Sequence, residues 1–282
     1  MKRILIAGKD SYIGDYLAVT LDPTRFACDI LDMRGDAWHK QSFAGYNAVV
    51  LVAGIAHQRE TKANRALYDQ VNHKLAVAAG EKAKQDGVTQ FVFFSSMSVY
   101  GIDVGRIHVD TEPNPKTAYG RSKLDAETAL LGLTNEAFHV AVLRPPMIYG
   151  PGCRGNYPRL SKLVQRLHVF PKANNERSML YINTFCAFMD MLLQSGSGGL
   201  YFPQNNAYVS TDRLARAIAN ANHRRLWQPN GFGWLLRLLG KNGGTIGKVF
   251  GTLTYDMEMS RTFMPEEQPE LEQSILQTEA MT

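Results

Sequence analysis

The strongest constraint on this chain is a repeated alternation. Five short apolar runs of β-prone residues occur at Arg3 to Ala7, Ala27 to Leu31, Ala48 to Ala53, Gln90 to Ser95 and Phe138 to Arg144, each followed by a polar or helix-compatible segment. Between the third and fourth runs, Leu67, Val71, Leu75, Ala78 and Ala79 recur at helical spacing, and the pattern stops at the turn pair Asp86-Gly87. Strand, helix, strand repeated in this way predicts an α/β fold with a doubly wound parallel sheet. A chain of 282 residues holds one large domain of this kind with a smaller cap.

The character of the sequence changes after "RPPMIYGPG", where Pro, Gly, Asn and Arg become frequent and strands are harder to place. We therefore expect the sheet domain over residues 1–150, a smaller substrate-binding cap over 151–264, and a loosely held polar tail over 265–282. The segment 177–195 reads as a strand followed by an amphipathic helix that packs back on the first domain.

Composition removes several classes of function. The longest apolar runs fall far short of a bilayer span, so no integral membrane association is expected. The basic N-terminus carries too few apolar residues for a secretory signal, which reads as cytoplasmic. Cys28, Cys153 and Cys186 are widely spaced with no Cys-x-x-Cys, which suits reduced thiols and no metal site. The net charge of +5 is scattered, without a stripe of cations interleaved with aromatics, so no nucleic-acid partner is expected. The segment "GFGWLLRLLGKNGG" could lie at a membrane surface, but a cap helix burying the same leucines is the preferred reading.

The first apolar run leads into "AGKDSYIGDYL", where Gly8 and Gly14 frame a turn that should open a helix at Tyr12 or Ile13. A strand-to-helix turn of this kind brings backbone N–H groups and a helix N-terminus to a pyrophosphate. Asp32 ends the second run at the distance where a carboxylate accepts hydrogen bonds from an adenosine ribose, which favours NAD. Arg34, two residues later, is suited to a 2′-phosphate and keeps NADP open. The third run ends in Ala53 and Gly54, small enough for a cofactor to lie against the backbone, and His57 beyond them reads as a surface residue.

The fourth run, "FVFFSSMSVYG", delivers Ser95, Ser96 and Ser98 at the carboxyl end of its strand. Downstream, "AYGRSKLDAE" places Tyr119 and Lys123 four residues apart on one helix face; of the 12 tyrosines only Tyr119 has Lys at i+4. A hydroxyl, a phenol and an ammonium thus converge on one edge of the sheet. That set suits proton transfer to and from a substrate hydroxyl or carbonyl.

With the Gly8 to Gly14 turn, Asp32, "VAGIAH", Asn72 in "VNHKLA", "FSSMSVYG", "AYGRSK", "LRPPMIYGPG" and "RSMLYI" in this order, the chain resembles the extended short-chain dehydrogenase/reductase family. It is most similar to that family's nucleotide-sugar epimerases and 4-ketoreductases, over Lys2 to about Asp212. The resemblance implies a Rossmann-type sheet and an enzyme with Ser96, Tyr119 and Lys123 as catalytic residues. It implies NAD bound by Gly8, Ser11, Tyr12, Ile13, Gly14, Asp32, Ala53, Gly54, Asn72, Tyr119 and Lys123. For a nucleotide-diphosphate sugar it implies contacts from Ser96, Ser98, Asn156 and Arg177, and for the assembly a homodimer paired through two helices, one beginning at Tyr119. Transient oxidation and re-reduction at C4 gives an epimerase; a single hydride transfer to a 4-keto sugar gives a reductase. A dinucleotide sensor without turnover is the third reading. Two positions depart from the pattern: Ser11 replaces the middle glycine of the turn and is expected to crowd the pyrophosphate or donate to it, and Met147 replaces a substrate-contacting asparagine.

Overall fold

The computed structural model describes residues 1–56, 60–173, 175–231 and 250–280. The chain forms two compact units. The first contains residues 1–101, 112–145 and 185–203, and the second contains 102–111, 146–184 and 204–282. Units are thus exchanged several times along the chain rather than once near Gly150. Of the segment expected to return to the first unit, the part from Phe185 onward does so, while Arg177 to Thr184 lies in the second.

The first unit is built on a six-stranded parallel sheet. Its strands are β1 (Lys2–Ala7), β2 (Phe26–Leu31), β3 (Ala48–Leu51), β4 (Gln90–Phe94), β6 (His139–Leu143) and β9 (Gly199–Tyr201), in the order β2-β1-β3-β4-β6-β9. The remaining strands, β5 (Gly105–Ile107), β7 (Met147–Tyr149), β8 (Met179–Tyr181) and β10 (Leu253–Tyr255), fall in the second unit. The sheet order reverses between β1 and β3, which opens a crevice at their carboxyl ends. All five expected strands are present. The sixth, β9, is three residues long after a Gly-Ser run and has too few side chains to show a pattern.

Helices α1 (Tyr12–Thr20), α2 (Arg65–Tyr68), α3 (Leu75–Gln85) and α4 (Ala118–Leu131) belong to this unit. A π-helical turn, Asp69–Lys74, joins α2 to α3. Alternate strand residues Val49, Leu51, Phe91, Phe93, Val140 and Val142 point to one face and pack with Ala76, Ala79, Ala83, Ala126 and Leu130 of α3 and α4. Each large apolar side chain so buried contributes about 1.5–3 kcal/mol, which explains why runs this short persist as strands. Gly80 lets α3 and α4 approach closely, since a Cβ there would lie 2.4 Å from Leu130 Cδ2. Helix α6 (Ile182–Ser195) ends under the sheet edge, where Lys2 Nζ donates to the carbonyls of Leu193 and Gln194 at 2.8 and 2.7 Å.

The second unit carries two parallel two-stranded ladders, β5 with β10 and β7 with β8, together with α5 (Asn156–Arg166), α7 (Thr211–Ala221) and α8 (Leu271–Glu279). Helix α8 corrects the expectation of a loose tail. Leu271, Ser274, Ile275 and Thr278 repeat at helical spacing and are buried. Only two of those four are apolar, so the composition concealed the pattern. At the end of α8, Glu279 accepts hydrogen bonds from Tyr157 (2.6 Å), Ser161 (2.9 Å), Gln165 (3.2 Å) and Asn222 (2.8 Å). No described helix is long and apolar enough to cross a membrane. The segment "GFGWLLRLLGKNGG" lies, after Gly231, outside the described residues.

Charge-assisted hydrogen bonds contribute about 1.5–3 kcal/mol each when their loss strands a donor. Glu279→Ala should therefore lower stability by about 2–4 kcal/mol in urea unfolding, since it strands the buried donors of Tyr157 and Ser161 while Gln165 and Asn222 are partly exposed. A change below about 0.5 kcal/mol would show that α8 is not fastened through this carboxylate.

Candidate active site

The turn after β1 is shaped by close approach. Gly8 has φ +141°, and a Cβ there would lie 2.6 Å from Ala53 N and 2.8 Å from Val52 Cγ2. Gly14, in the first turn of α1, is pressed against Ile6 and Val52 in the same way. Ser11 is the N-cap of α1: its Oγ accepts from Gly14 N at 3.4 Å, ahead of Tyr12 and Ile13. The hydroxyl expected to crowd or donate to a pyrophosphate is thus turned onto the helix's own first turn. The strained residue of the loop is Asp10, with φ 60°.

Asp10 and Asp32 share one partner. Arg34 Nε donates to both Asp32 carboxylate oxygens at 2.8 and 3.0 Å, while its Nη2 reaches Asp32 and, at 3.0 Å, Asp10. The Arg34 guanidinium beside Asp32 holds this exposed carboxyl down at about 2. Arg34 is thus ion-paired with two carboxylates while its side chain stays 68% exposed.

After β3 the chain passes Ala53 and Gly54 toward Ile55. Asn72, fully buried in the π-helical turn, accepts from Ile55 N at 2.8 Å and donates to Ile55 O at 3.0 Å and to Ser122 Oγ at 3.4 Å. Its amide holds both backbone groups of Ile55, so Asn72 positions the loop. π-Helical turns recur where one side chain must be re-aimed. A Cβ on Gly54 would lie 3.1 Å from Asn72 Oδ1 and 3.5 Å from Lys123 Nζ, so the loop, Asn72 and Lys123 meet at one point. His57 lies outside the described residues.

Ser96 caps the short 3-10 turn Met97–Tyr100 that follows β4, with its Oγ accepting from Ser98 N at 3.1 Å and donating to Ser98 Oγ at 3.2 Å. Helix α4 starts beside this turn, capped by Thr117, whose side chain accepts from Gly120 N at 3.0 Å. Gly120 makes the approach possible, because a Cβ there would stand 2.6 Å from Ser98 O. The phenol of Tyr119 then comes beside the Ser96 hydroxyl. Burial pushes that phenol up and the Ser96 hydroxyl opposes the shift; the ring of Tyr68 stands edge-on at 6.2 Å.

Lys123, one turn along α4, is 5% exposed, and its ammonium lies 4.7 Å from the Phe93 ring centroid. Burial lowers it to about 8, with the Glu127 carboxylate acting the other way. No protein acceptor hydrogen-bonds to Nζ among the described residues. Glu127 itself is bound by Arg144, whose Nε donates to both carboxylate oxygens at 3.0 and 3.1 Å and whose Nη1 donates to Tyr100 Oη at 2.8 Å. Tyr119 thus comes beside Ser96 where α4 starts, with Lys123 one turn further along, and Gly120, Glu127 and Arg144 are supporting residues that the sequence did not single out. The signal was present: Glu127 continues the i, i+4 series from Tyr119 and Lys123.

The residues expected to hold a sugar nucleotide divide between the units. Ser96 and Ser98 lie in the first, Asn156 and Arg177 in the second. Asn156 is exposed at the start of α5, and Met147 opens β7. Arg177 is half-buried, pairs through its backbone with Val209, and donates from Nη1 to Gly251 O at 3.0 Å. Burial lowers its guanidinium, and Asp103 is the charged group that opposes the shift.

Fold and site together define a dinucleotide-dependent α/β enzyme of the Tyr-x-x-x-Lys kind. The chain belongs to the NAD dependent epimerase/dehydratase family, whose model matches residues 4–202. It is 29% identical to a UDP-glucose 4-epimerase of Vibrio cholerae, covering 92% of this chain and 89% of that one. It is 30% identical to an N-acetyl-alpha-D-glucosaminyl-diphospho-ditrans,octacis-undecaprenol 4-epimerase of Escherichia coli O157:H7, over 60% of this chain and 52% of that one. The fold is similar to that of a UDP-glucuronic acid 4-epimerase from Bacillus cereus in complex with NAD, with a TM-score of 0.77 at 16% identity, covering 99% and 96% of the two chains.

Removing one partner of a buried ion pair leaves the other charge uncompensated, at a cost of about 3–5 kcal/mol. Glu127→Gln should lower stability by about that amount in denaturant unfolding, because the side chains of Glu127 and Arg144 are only 2% and 8% exposed. Loss of under about 1 kcal/mol would show that the pair is not the fastening of α4.

Proposed function

We propose that the protein is an NAD-dependent nucleotide-sugar 4-epimerase acting on a UDP-hexose or UDP-N-acetylhexosamine, in supply of polysaccharide precursors. The observation that carries this reading is the cluster of Ser96, Tyr119 and Lys123 at the carboxyl end of a dinucleotide-type sheet, with the Lys123 ammonium buried and unmatched by a protein acceptor among the described residues. Likeness to the Vibrio cholerae UDP-glucose 4-epimerase along nearly the whole chain supports the choice of substrate class and reaction.

The residues present fit the cofactor. Gly8 keeps the β1 turn free of a side chain, the N-terminus of α1 favours a pyrophosphate, and the Asp32 carboxylate directly after β2 suits an adenosine ribose. Lys123 Nζ is placed to hydrogen-bond ribose hydroxyls. When bound, NAD supplies the hydride acceptor and donor, and its positive oxidised ring favours the Tyr119 phenolate. Tyr119 Oη takes the proton of the sugar 4-hydroxyl as C4 is oxidised and gives a proton back when C4 is reduced on its other face. Ser96 Oγ holds the same sugar oxygen through both halves of the cycle. Arg177, with no carboxylate hydrogen-bonded to it among the described residues, suits the nucleotide diphosphate, and Asn156 belongs with it to the second unit.

Purified protein incubated with UDP-glucose, UDP-galactose or their N-acetyl counterparts and catalytic NAD should form the 4-epimer. A strict requirement for stoichiometric NADPH or NADH and a 4-keto sugar would replace this reading with a 4-ketoreductase. Tyr119→Phe should reduce turnover by about 10²–10⁴-fold while dinucleotide binding persists. Unchanged biological activity in that variant would identify a sensor instead.

The double variant Asp10→Ala, Asp32→Ala should release Arg34 and raise the affinity for NADPH relative to NADH by about one to two orders of magnitude, read by nucleotide fluorescence titration. An unaltered preference would show that Arg34 plays no part in the choice.

A further inference from the structure

The second unit has a surface that the proposed reaction does not use. No acidic residue occurs from Ala137 to Asn175 or from Arg213 to Tyr255. Within the first span, Arg159, Lys162 and Arg166 are exposed along one side of α5. Within the second, Arg224 and Arg225 are exposed beyond α7. The two spans are joined by backbone pairing: Trp227 N donates to His168 O and Phe170 N to Trp227 O, both at 2.9 Å. None of these five cations is ion-paired among the described residues, whereas Arg3, Arg25, Arg34, Arg65, Arg144 and Arg213 all are. Glu279, the carboxylate that faces α5, is taken by the four neutral donors described above.

Large apolar side chains stand among the cations. Trp227 is 66% exposed, Leu163 45% and Val169 44%, and Val169 and Trp227 face each other across an isolated bridge. Exposed cations alone serve any polyanion. A tryptophan and two aliphatic side chains set among them gain where an apolar layer lies directly beneath a layer of negative charge, as at a phospholipid headgroup boundary. Base stacking would use the tryptophan but gives Leu163 and Val169 nothing.

We propose that this face of the second unit docks peripherally on an anionic phospholipid bilayer, its cations among the headgroups and Trp227 at the acyl boundary. Binding of this kind scales with buried apolar area and with the charge of the lipid, and is weakened by salt. Residues 232–249 lie outside the described residues, and the surface is defined without them.

The full chain should co-sediment with vesicles containing about one third phosphatidylglycerol and not with phosphatidylcholine alone, with binding falling as salt is raised. Arg224→Gln with Arg225→Gln should weaken binding by about tenfold, and Trp227→Ser by a similar factor. Both sets are exposed, so the thermal midpoint and sugar turnover in solution should stay at the parent values. Lack of binding to anionic vesicles overturns the proposal. Loss in the arginine variant with full retention in Trp227→Ser and displacement by polynucleotide also overturns it, in favour of a general polyanion surface.

Discussion

The buried ion pair between Glu127 and Arg144 is the contact on which the site depends. Arg144 follows β6 directly, and its Nη1 reaches Tyr100 in the turn after β4, so one guanidinium joins two adjacent strand ends to the middle of α4. Helix α4 carries Tyr119 and Lys123 at fixed offsets from Glu127. A rotation or slide of the helix that moved the phenol from Ser96 would therefore break a bidentate pair in a region of low dielectric. Buried pairs of this kind seldom add net stability over apolar residues of the same shape. They do penalise every alternative placement of the charges.

Much of this was legible in the sequence because it rests on local repetition. Runs such as "FVFF" and "AVVLVA" carry their own evidence for strands, and the Tyr119, Lys123 spacing shows on any helical projection. What escaped depends on contacts between distant parts of the chain. Gly120 looks like a residue unfavourable to helix, and only the nearness of Ser98 O explains it. Helix α8 escaped because its buried face includes Ser274 and Thr278, which satisfy themselves by donating back to Leu271 O and Ser274 O. Asn72 stands out in the sequence by residue type and position, but its two hydrogen bonds to Ile55 depend on a loop 17 residues away and do not show there.

The turn after β1 shows how a departure from a motif is absorbed. Ser11 in place of glycine is accommodated by serving as the N-cap of α1, with ordinary extended backbone. The left-handed backbone conformation falls instead on Asp10, an acidic residue that tolerates it better than a bulky one. That conformation accompanies a carboxylate directed at Arg34. Loop geometry and the charge beside the ends of β1 and β2 are consequently set by Asp10 and Arg34 together.

Lys123 shows the cost of assembling such a site before its ligand arrives. Burial brings the ammonium from an ordinary value near 10.5 to about 8, so the folded protein gives up a proton that the unfolded chain keeps between those two limits. Stability from this group therefore rises with pH through that window and is lowest below it, where the charge is held at full cost. Near neutral pH the ammonium has the Phe93 ring and a Glu127 already committed to Arg144, and no protein hydrogen-bond acceptor among the described residues. A ligand that brings hydroxyl groups to Nζ offsets a penalty the fold already bears. Part of its binding energy thus comes from relief of the protein rather than from the new contacts alone.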